Sequence, residues 1–247
     1  MRFRTLLAAG LGALLAAPAG AQQLPMHSGT DKFAQLGTEL PTPNTFRTAS
    51  GAPGKDYWQQ RADYNIRVTL NDDNQSISGT EDITYTNLSP DKLSYLWLQL
   101  DANIYAPNSM TAATQTSSLQ EKMSFGALEY IQRTGFDGSF KIDDIRMKGG
   151  SAQLPHVINY TMMRVDLPRP LAPKQAVTFT VKWHYTVNDQ VKLGGRSGYE
   201  FFPEDKNYLY EIAQFYPRMA VYDDVNGWQH KQFLGQGEFT LPFGDYK

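Results

Sequence analysis

Strict two-residue alternation of apolar and polar side chains constrains this chain more than any other feature. Val177, Phe179, Val181, Trp183, Tyr185 and Val187 are separated by Thr178, Thr180, Lys182, His184 and Thr186. Tyr64, Ile66, Val68 and Leu70 alternate in the same way with Asn65, Arg67 and Thr69. Successive strand side chains point to opposite faces, so this pattern specifies half-buried β-strands and rules out helix over both stretches. Residues 71–75 form a turn cluster, and Ile77, Ile83 and Tyr85 repeat on one face of 76–87, which predicts a hairpin. Residues 94–100 (SYLWLQL) are apolar on both faces, as a central strand requires. A further strand is expected over 160–166, ending at Pro168, Pro170 and Pro173, which oppose both helix and central-strand pairing. A long loop is expected over 103–120, with a short helix just after it. The fold class is all-β.

The first residues read as an address. Arg2 and Arg4 precede an apolar run over 6–17, and Ala19-Gly20-Ala21 fits a small-x-small cleavage site. The run is too short to span a bilayer, which takes about 20 residues. We therefore expect a signal peptide over 1–21, a periplasmic or secreted protein, and no transmembrane anchor. Residues 22–54 carry Pro25, Pro41, Pro43 and Pro53 without any hydrophobic period, and are expected to be a disordered tether. Loss of Arg2 and Arg4 with the leader moves the formal net charge from −2 to −4. A mildly acidic, well-mixed chain offers no basic patch for nucleic acid. With no cysteine there is neither a disulfide nor a thiolate metal site.

Chemistry-bearing motifs are sparse. His27, His156, His184 and His230 have no His or Glu partner at the spacing of a helical zinc site, and they read as surface or packing histidines. Gly194-Gly195-Arg196-Ser197-Gly198 lacks the Lys-Ser/Thr ending of a phosphate loop and reads as a glycine-rich turn between strands. The G-x-S-x-G nucleophile pattern is absent. The pairs Asp143-Asp144 and Asp223-Asp224 would point apart on a strand, and read as turn carboxylates. Residues 198–246 interleave aromatics, carboxylates and amides, which suits either the lining of a peptide or sugar cleft or a Tyr/Phe-rich β-core. The closing FTLPFGDYK reads as a strand and turn without a return strand, so an exposed edge is expected there.

The stretch QFYPRMAVYDDVNGWQHKQFLGQGEFTLPFGDY resembles a segment of the aminopeptidase-N-type (gluzincin) zinc metallopeptidases, particularly their exported bacterial members. Tyr57-Trp58-Gln59-Gln60-Arg61, Gly79-Thr80-Glu81, Leu96-Trp97-Leu98-Gln99-Leu100, Asn159-Tyr160-Thr161-Met162-Met163 and Trp183-x-Tyr185 are similar to that group as well. The resemblance implies a saddle-shaped, multi-stranded β-sandwich over 55–247, the N-terminal domain of such an enzyme. Its partner would be a catalytic domain holding zinc on H-E-x-x-H and a downstream Glu. Neither that motif nor G-x-M-E-N occurs in this sequence, so no catalytic residue, metal ligand or cofactor of its own is expected, and the chain alone should be inactive. The resemblance further implies that Gln214 and Tyr216, on a strand, contribute a peptide-substrate wall. Gln214 matches the family's Gln-x-Glu/Gln pair, whereas Tyr216 brings no charge to an amine. The implied chain is a truncated metallopeptidase. The rival reading is a free-standing envelope β-sandwich module binding peptides or glycans, and a third is a hydrolase using carboxylates alone.

Overall fold

The computed structural model describes residues 43–114, 121–125, 136–237 and 240–247. The signal peptide expected over 1–21, and the part of the tether before residue 43, lie outside the described residues. Among those described, antiparallel strands dominate and the helices are short. The first sheet has the order β1-β2-β7-β4, built from β1 (Arg61–Asn71), β2 (Ser76–Thr86), β7 (Ala176–Thr186) and β4 (Lys141–Met147). The second has the order β10-β3-β6-β5, from β10 (Arg218–Met219), β3 (Leu93–Gln99), β6 (Met162–Leu171) and β5 (His156–Asn159). Two hairpins complete the set: β8 (Gly198–Phe202) with β9 (Asn207–Glu211), and β11 (Tyr222–Asp223) with β12 (Gly227–Trp228). The sheets do not close into a barrel.

Alternation becomes burial. Phe179, Val181, Trp183 and Tyr185 of β7 are buried with Ile77, Ile83 and Tyr85 of β2. They share one core with Leu96 and Leu98 of β3 and Met163 and Val165 of β6, which makes the two sheets a sandwich. Gly79 lies opposite Trp183 in the ladder, and a Cβ there would fall 2.3 Å from the indole ring. The missing side chain is what lets the largest core residue lie across its neighbour strand. On the outer face of β3, Trp97 stacks on His230 with ring centroids 5.2 Å apart, so both faces of this strand are used.

The structure corrects several expectations. β6 runs through Pro168 and Pro170 to Leu171. The prolines are tolerated because residues 167–170 pair with no strand: the β3 register jumps from Tyr95↔Asp166 to Leu93↔Leu171, and β5 reaches only Val165. The loop expected over 103–120 contains the end of a 3-10 helix (Asp101–Tyr105) and a short helix (Met110–Thr114). Asp143 and Asp144 lie in β4 beside an irregularity of its register with β7, not in a turn. Residues 43–54, assigned to the tether, fold back: Asn44 Oδ1 accepts from Phe46 N (2.8 Å) and Arg47 N (2.9 Å), and Arg47 Nε donates to both oxygens of Asp224 (3.0 and 2.8 Å). A side-chain turn and a long-range ion pair order this stretch without any hydrophobic period.

The closing segment has a partner after all. Ala62, Tyr64 and Ile66 of β1 donate to the carbonyls of Phe243, Asp245 and Lys247, each at 2.8 Å, and the pairing is parallel. Gly244 permits this approach, since a Cβ would sit 1.8 Å from the Ala62 carbonyl oxygen. Tyr246 stacks on Tyr64 at 4.8 Å between centroids. We expect Gly244→Ala to push the segment off β1 and cost about 1–3 kcal/mol, the usual range for overpacking, measured by urea unfolding. Unchanged stability would contradict this pairing.

Glu81 of β2 is 0% exposed and points into the core, and neither carboxylate oxygen has a hydrogen-bond partner. Burial raises its pKa well above the ordinary carboxylate range, so the carboxyl stays protonated where an unfolded chain would ionise. An acid whose folded pKa is raised stabilises fully below its unfolded pKa, and that stability is lost as pH rises toward the folded value. The Glu81 contribution therefore falls from acidic toward neutral pH, and the difference between parent and Glu81→Met melts across that range reads it. In Glu81→Met that fall should flatten, with a gain of about 1–3 kcal/mol at neutral pH from removing an unsatisfied polar group.

Candidate functional site

The segment after β9 builds two adjacent cavities, and one buried ion pair separates them. Arg218, on β10, donates from Nε to Asp101 Oδ2 (2.6 Å) and from Nη2 to Asp101 Oδ1 (3.2 Å). Its Nη1 donates to the Thr240 carbonyl (2.7 Å). The two residues are 2% and 3% exposed. The fork geometry is the one guanidinium and carboxylate favour, and it joins the 3-10 helix, the second sheet and the closing loop. Arg218 thus pairs across the fold and takes no part in the turn at 223–224. Asp223 does brace that turn, accepting from Val225 N (2.9 Å) and Asn226 N (2.6 Å).

On the Asp101 side lies a small cavity of about 50 Å³ that Gln214 lines with Asn188, Arg196 and Ser197. Gln214 is in a turn and not on a strand, with φ at +48°. Ser197 braces this turn, its Oγ accepting from Ala213 N (2.8 Å) and donating to Ala213 O (3.1 Å). The glycine-rich stretch thereby supports the Gln214 turn. It follows a short helix (Gln190–Leu193) capped by Asp189, so it connects a helix to β8 and does not join two strands. A volume this small holds a few waters and no peptide. Tyr216 is elsewhere, edge-on to Tyr64 (5.4 Å) and Tyr246 (6.1 Å), its pKa raised chiefly by burial. The structure does not bring Gln214 and Tyr216 into one cavity.

On the Arg218 side is a larger cleft, about 430 Å³, lined by Gln99, Asn226, Gln229, Gln232 and Gln236 together with Trp228, His230, Lys231 and Phe233. Its volume falls in the range of small-ligand sites. Two of the carboxamides are structural. Gln232 accepts from Thr161 N (2.9 Å) and Oγ1 (2.7 Å) and donates to Asn159 O (2.9 Å). Gln229 donates to Asp223 Oδ2 (2.6 Å) and accepts from Thr240 Oγ1 (2.9 Å). The side chains of Gln99, Gln236 and Lys231 have no partner among the described residues. His230 Nδ1–H donates to the Trp228 carbonyl (2.7 Å), which leaves Nε2 as an acceptor. The described lining includes no carboxylate, so the cleft presents amide donors and acceptors with a slight positive charge.

The sequence offered 198–246 as the lining of a cleft, but it could not join Gln236 to Gln99, which lies far away in the chain. Within that stretch, 226–236 holds Gln229, Gln232 and Gln236 beside Trp228. His184 contacts Asp143 Oδ2 (2.9 Å) on the exposed face of the first sheet, remote in kind from either cavity. Among the described residues, no group of three His, Cys, Asp or Glu could hold a metal ion. No helix there is long and apolar enough to cross a membrane, which says nothing of a β-barrel.

No family model matches the chain, and no curated protein matches it. Among solved structures it is similar to an M1 zinc metallopeptidase from Deinococcus radiodurans, at 14% identity and a TM-score of 0.33 over 55% of this chain and 22% of that one. A mutant of that enzyme bound to a Tyr-Ser-Ala substrate gives 14% identity and 0.33 over 56% and 23%. A two-domain M1 zinc metallopeptidase mutant bound to L-arginine gives 14% and 0.34 over 76% and 30%. The chain spans less than a third of the length of these structures, and a likeness at this level decides nothing about activity.

Removing one partner of a buried pair leaves the other charge uncompensated, at a cost of about 3–5 kcal/mol. We expect Asp101→Asn to approach that loss in urea unfolding, whereas Asp101→Leu combined with Arg218→Met should stay near the parent. Equal losses in both variants would show that the pair does not organise this region.

Proposed function

We propose that this chain is the substrate-side β domain of an exported zinc metallopeptidase. It grips peptide main chain in the carboxamide-lined cleft, while hydrolysis belongs to a catalytic domain that carries the zinc. The observation that carries this reading is the pair of carboxamides, Gln99 and Gln236, that have no partner among the described residues and face one cleft whose described lining holds no carboxylate. A peptide main chain alternates N–H donors and C=O acceptors, and a carboxamide offers both. Lys231 adds an electrostatic preference for a peptide's carboxylate end. The resemblance of 214–246 to the aminopeptidase-N type supplies the enzyme class. Gln214 lies across the Arg218–Asp101 pair from this cleft, and in this reading it acts on the substrate only if its small cavity opens.

Calorimetric titration with short neutral peptides tests the proposal. Gln99→Ala and Gln236→Ala should each weaken binding about 3- to 10-fold, the worth of one hydrogen bond. The isolated chain should release no amino acid from these peptides, with or without added zinc. Binding of oligosaccharides in place of peptides would transfer the cleft to a glycan-binding module, and hydrolysis by the chain alone would overturn the division of labour.

A further inference from the structure

Three stretches of the chain match Asn-x-Ser/Thr, the acceptor pattern for an N-linked glycan: Asn74-Gln75-Ser76, Asn87-Leu88-Ser89 and Asn159-Tyr160-Thr161. The pattern is short and recurs by chance, so the fold decides which of the three a transferase can reach. The glycan is joined through the side-chain nitrogen of Asn, and the transferase reads the hydroxyl two residues on. Both groups have to be open to it. Asn87 is closed: it is 0% exposed, and its Nδ2 spends both hydrogens on the carbonyls of Asp91 (2.7 Å) and Leu171 (3.1 Å). Ser89 is buried too, its Oγ donating to Asn87 Oδ1 (2.6 Å). Asn159 is exposed at the end of β5, but Thr161 is 2% exposed. Its Oγ1 donates to Gln232 Oε1 (2.7 Å) and accepts from Phe233 N (2.8 Å).

Asn74 is open. Asn71↔Ser76 is the last pair of the β1–β2 ladder, so residues 72–75 form a four-residue reversal, and 71–74 are all exposed. Local bonds set its shape. Asp73 N donates to Asn71 Oδ1 (2.9 Å), Gln75 Nε2 donates to the Asp72 carbonyl (2.6 Å), and Gln75 takes a φ of +50°. The half-buried Ser76 donates from Oγ to Asn74 Oδ1 (2.6 Å), so the acceptor amide and the hydroxyl already lie side by side. Asn74 Nδ2, the atom a glycan would join, has no partner among the described residues. Asp72, two positions before Asn74 and exposed, is the acidic residue that bacterial transferases of this class select there. Asn87 and Asn159 have Tyr85 and Val157 at that place.

We infer that Asn74 is the acceptor of an N-linked oligosaccharide, transferred to the folded chain from a polyprenyl-pyrophosphate carrier by a membrane oligosaccharyltransferase. The bond that forms joins Nδ2 to the anomeric carbon of the first sugar. The bond that breaks joins that carbon to the carrier's phosphate oxygen. The pyrophosphate leaves with the bonding pair, Nδ2 gives up one proton, and nothing is oxidised or reduced. Residues 71–76 line neither the Gln214 cavity nor the carboxamide-lined cleft, so the glycan is attached outside both. In the cell the turn meets such a transferase through export, and that clause alone rests on the function proposed above.

Incubating the folded full chain with a purified bacterial oligosaccharyltransferase and its lipid-linked oligosaccharide tests this, read by mass spectrometry of the digested product. A glycopeptide should appear at Asn74 and at neither Asn87 nor Asn159. Asn74→Gln should abolish it. Ser76→Ala should cut its yield at least about tenfold, because a site built to hydrogen-bond a hydroxyl rejects the analogue lacking it. Ser76→Thr, which keeps the hydroxyl, should keep the glycopeptide. A bare chain in a reaction that modifies an added control acceptor would overturn the site, as would a glycan on Asn87 or Asn159 with Asn74 unmodified. The reaction supplies the transferase directly and needs no export. Peptide titration of the cleft on the same samples reads the earlier proposal independently, so failure of one is distinguishable from failure of the other.

Discussion

The buried fork between Arg218 and Asp101 is the contact on which the rest of this region depends. It ties the end of β3, through the 3-10 helix, to β10 and to the carbonyl of Thr240 in the closing loop. Two charges out of water are tolerated there because both carboxylate oxygens and all three guanidinium nitrogens are engaged. The pair also forms the wall between the Gln214 cavity and the carboxamide-lined cleft. Gln229 and Gln232 spend their amides on the protein, whereas Gln99 and Gln236 line the cleft without a partner among the described residues.

Tyr64 plays a comparable part at the sheet edge. Its hydroxyl accepts from Met219 N (2.9 Å), joining the two sheets, while its ring packs against Tyr216 and Tyr246. Tyr216, which the family resemblance offered as a substrate contact, is thereby engaged in holding 243–247 on β1. Glu81 stands apart from these satisfied groups. A carboxyl with no partner in an apolar core lowers stability, and neither the cleft nor the edge uses it. It shows that the sandwich tolerates a polar defect where the surrounding burial is otherwise complete.

The sheets were legible because period-two alternation is a local signal. Each residue from Val177 to Tyr185 states its own face, and β1, β2 and β3 read out in the same way. Legibility failed wherever the deciding partner was distant in sequence. Pro168 and Pro170 looked like strand terminators because their lack of ladder partners depends on a register jump at β3. The 43–54 stretch looked disordered because its anchor, Asp224, is far along the chain. FTLPFGDYK looked unpaired because its partner is the first strand and the pairing is parallel. The site suffered most. Gln214 and Tyr216 are two positions apart in sequence yet face different surroundings, while Gln99 and Gln236 come from two separate stretches that only the fold brings to one cleft.

The most direct test of the account is to follow the side-chain amide resonances of glutamine by NMR while a neutral tripeptide is added to the full chain. The account predicts that the Gln99 and Gln236 amides shift and saturate together, with Gln229 and Gln232 little changed because their partners are within the protein. Movement at Gln214 with Gln99 and Gln236 unmoved would contradict it, and would place peptide recognition on the other side of the Arg218–Asp101 wall.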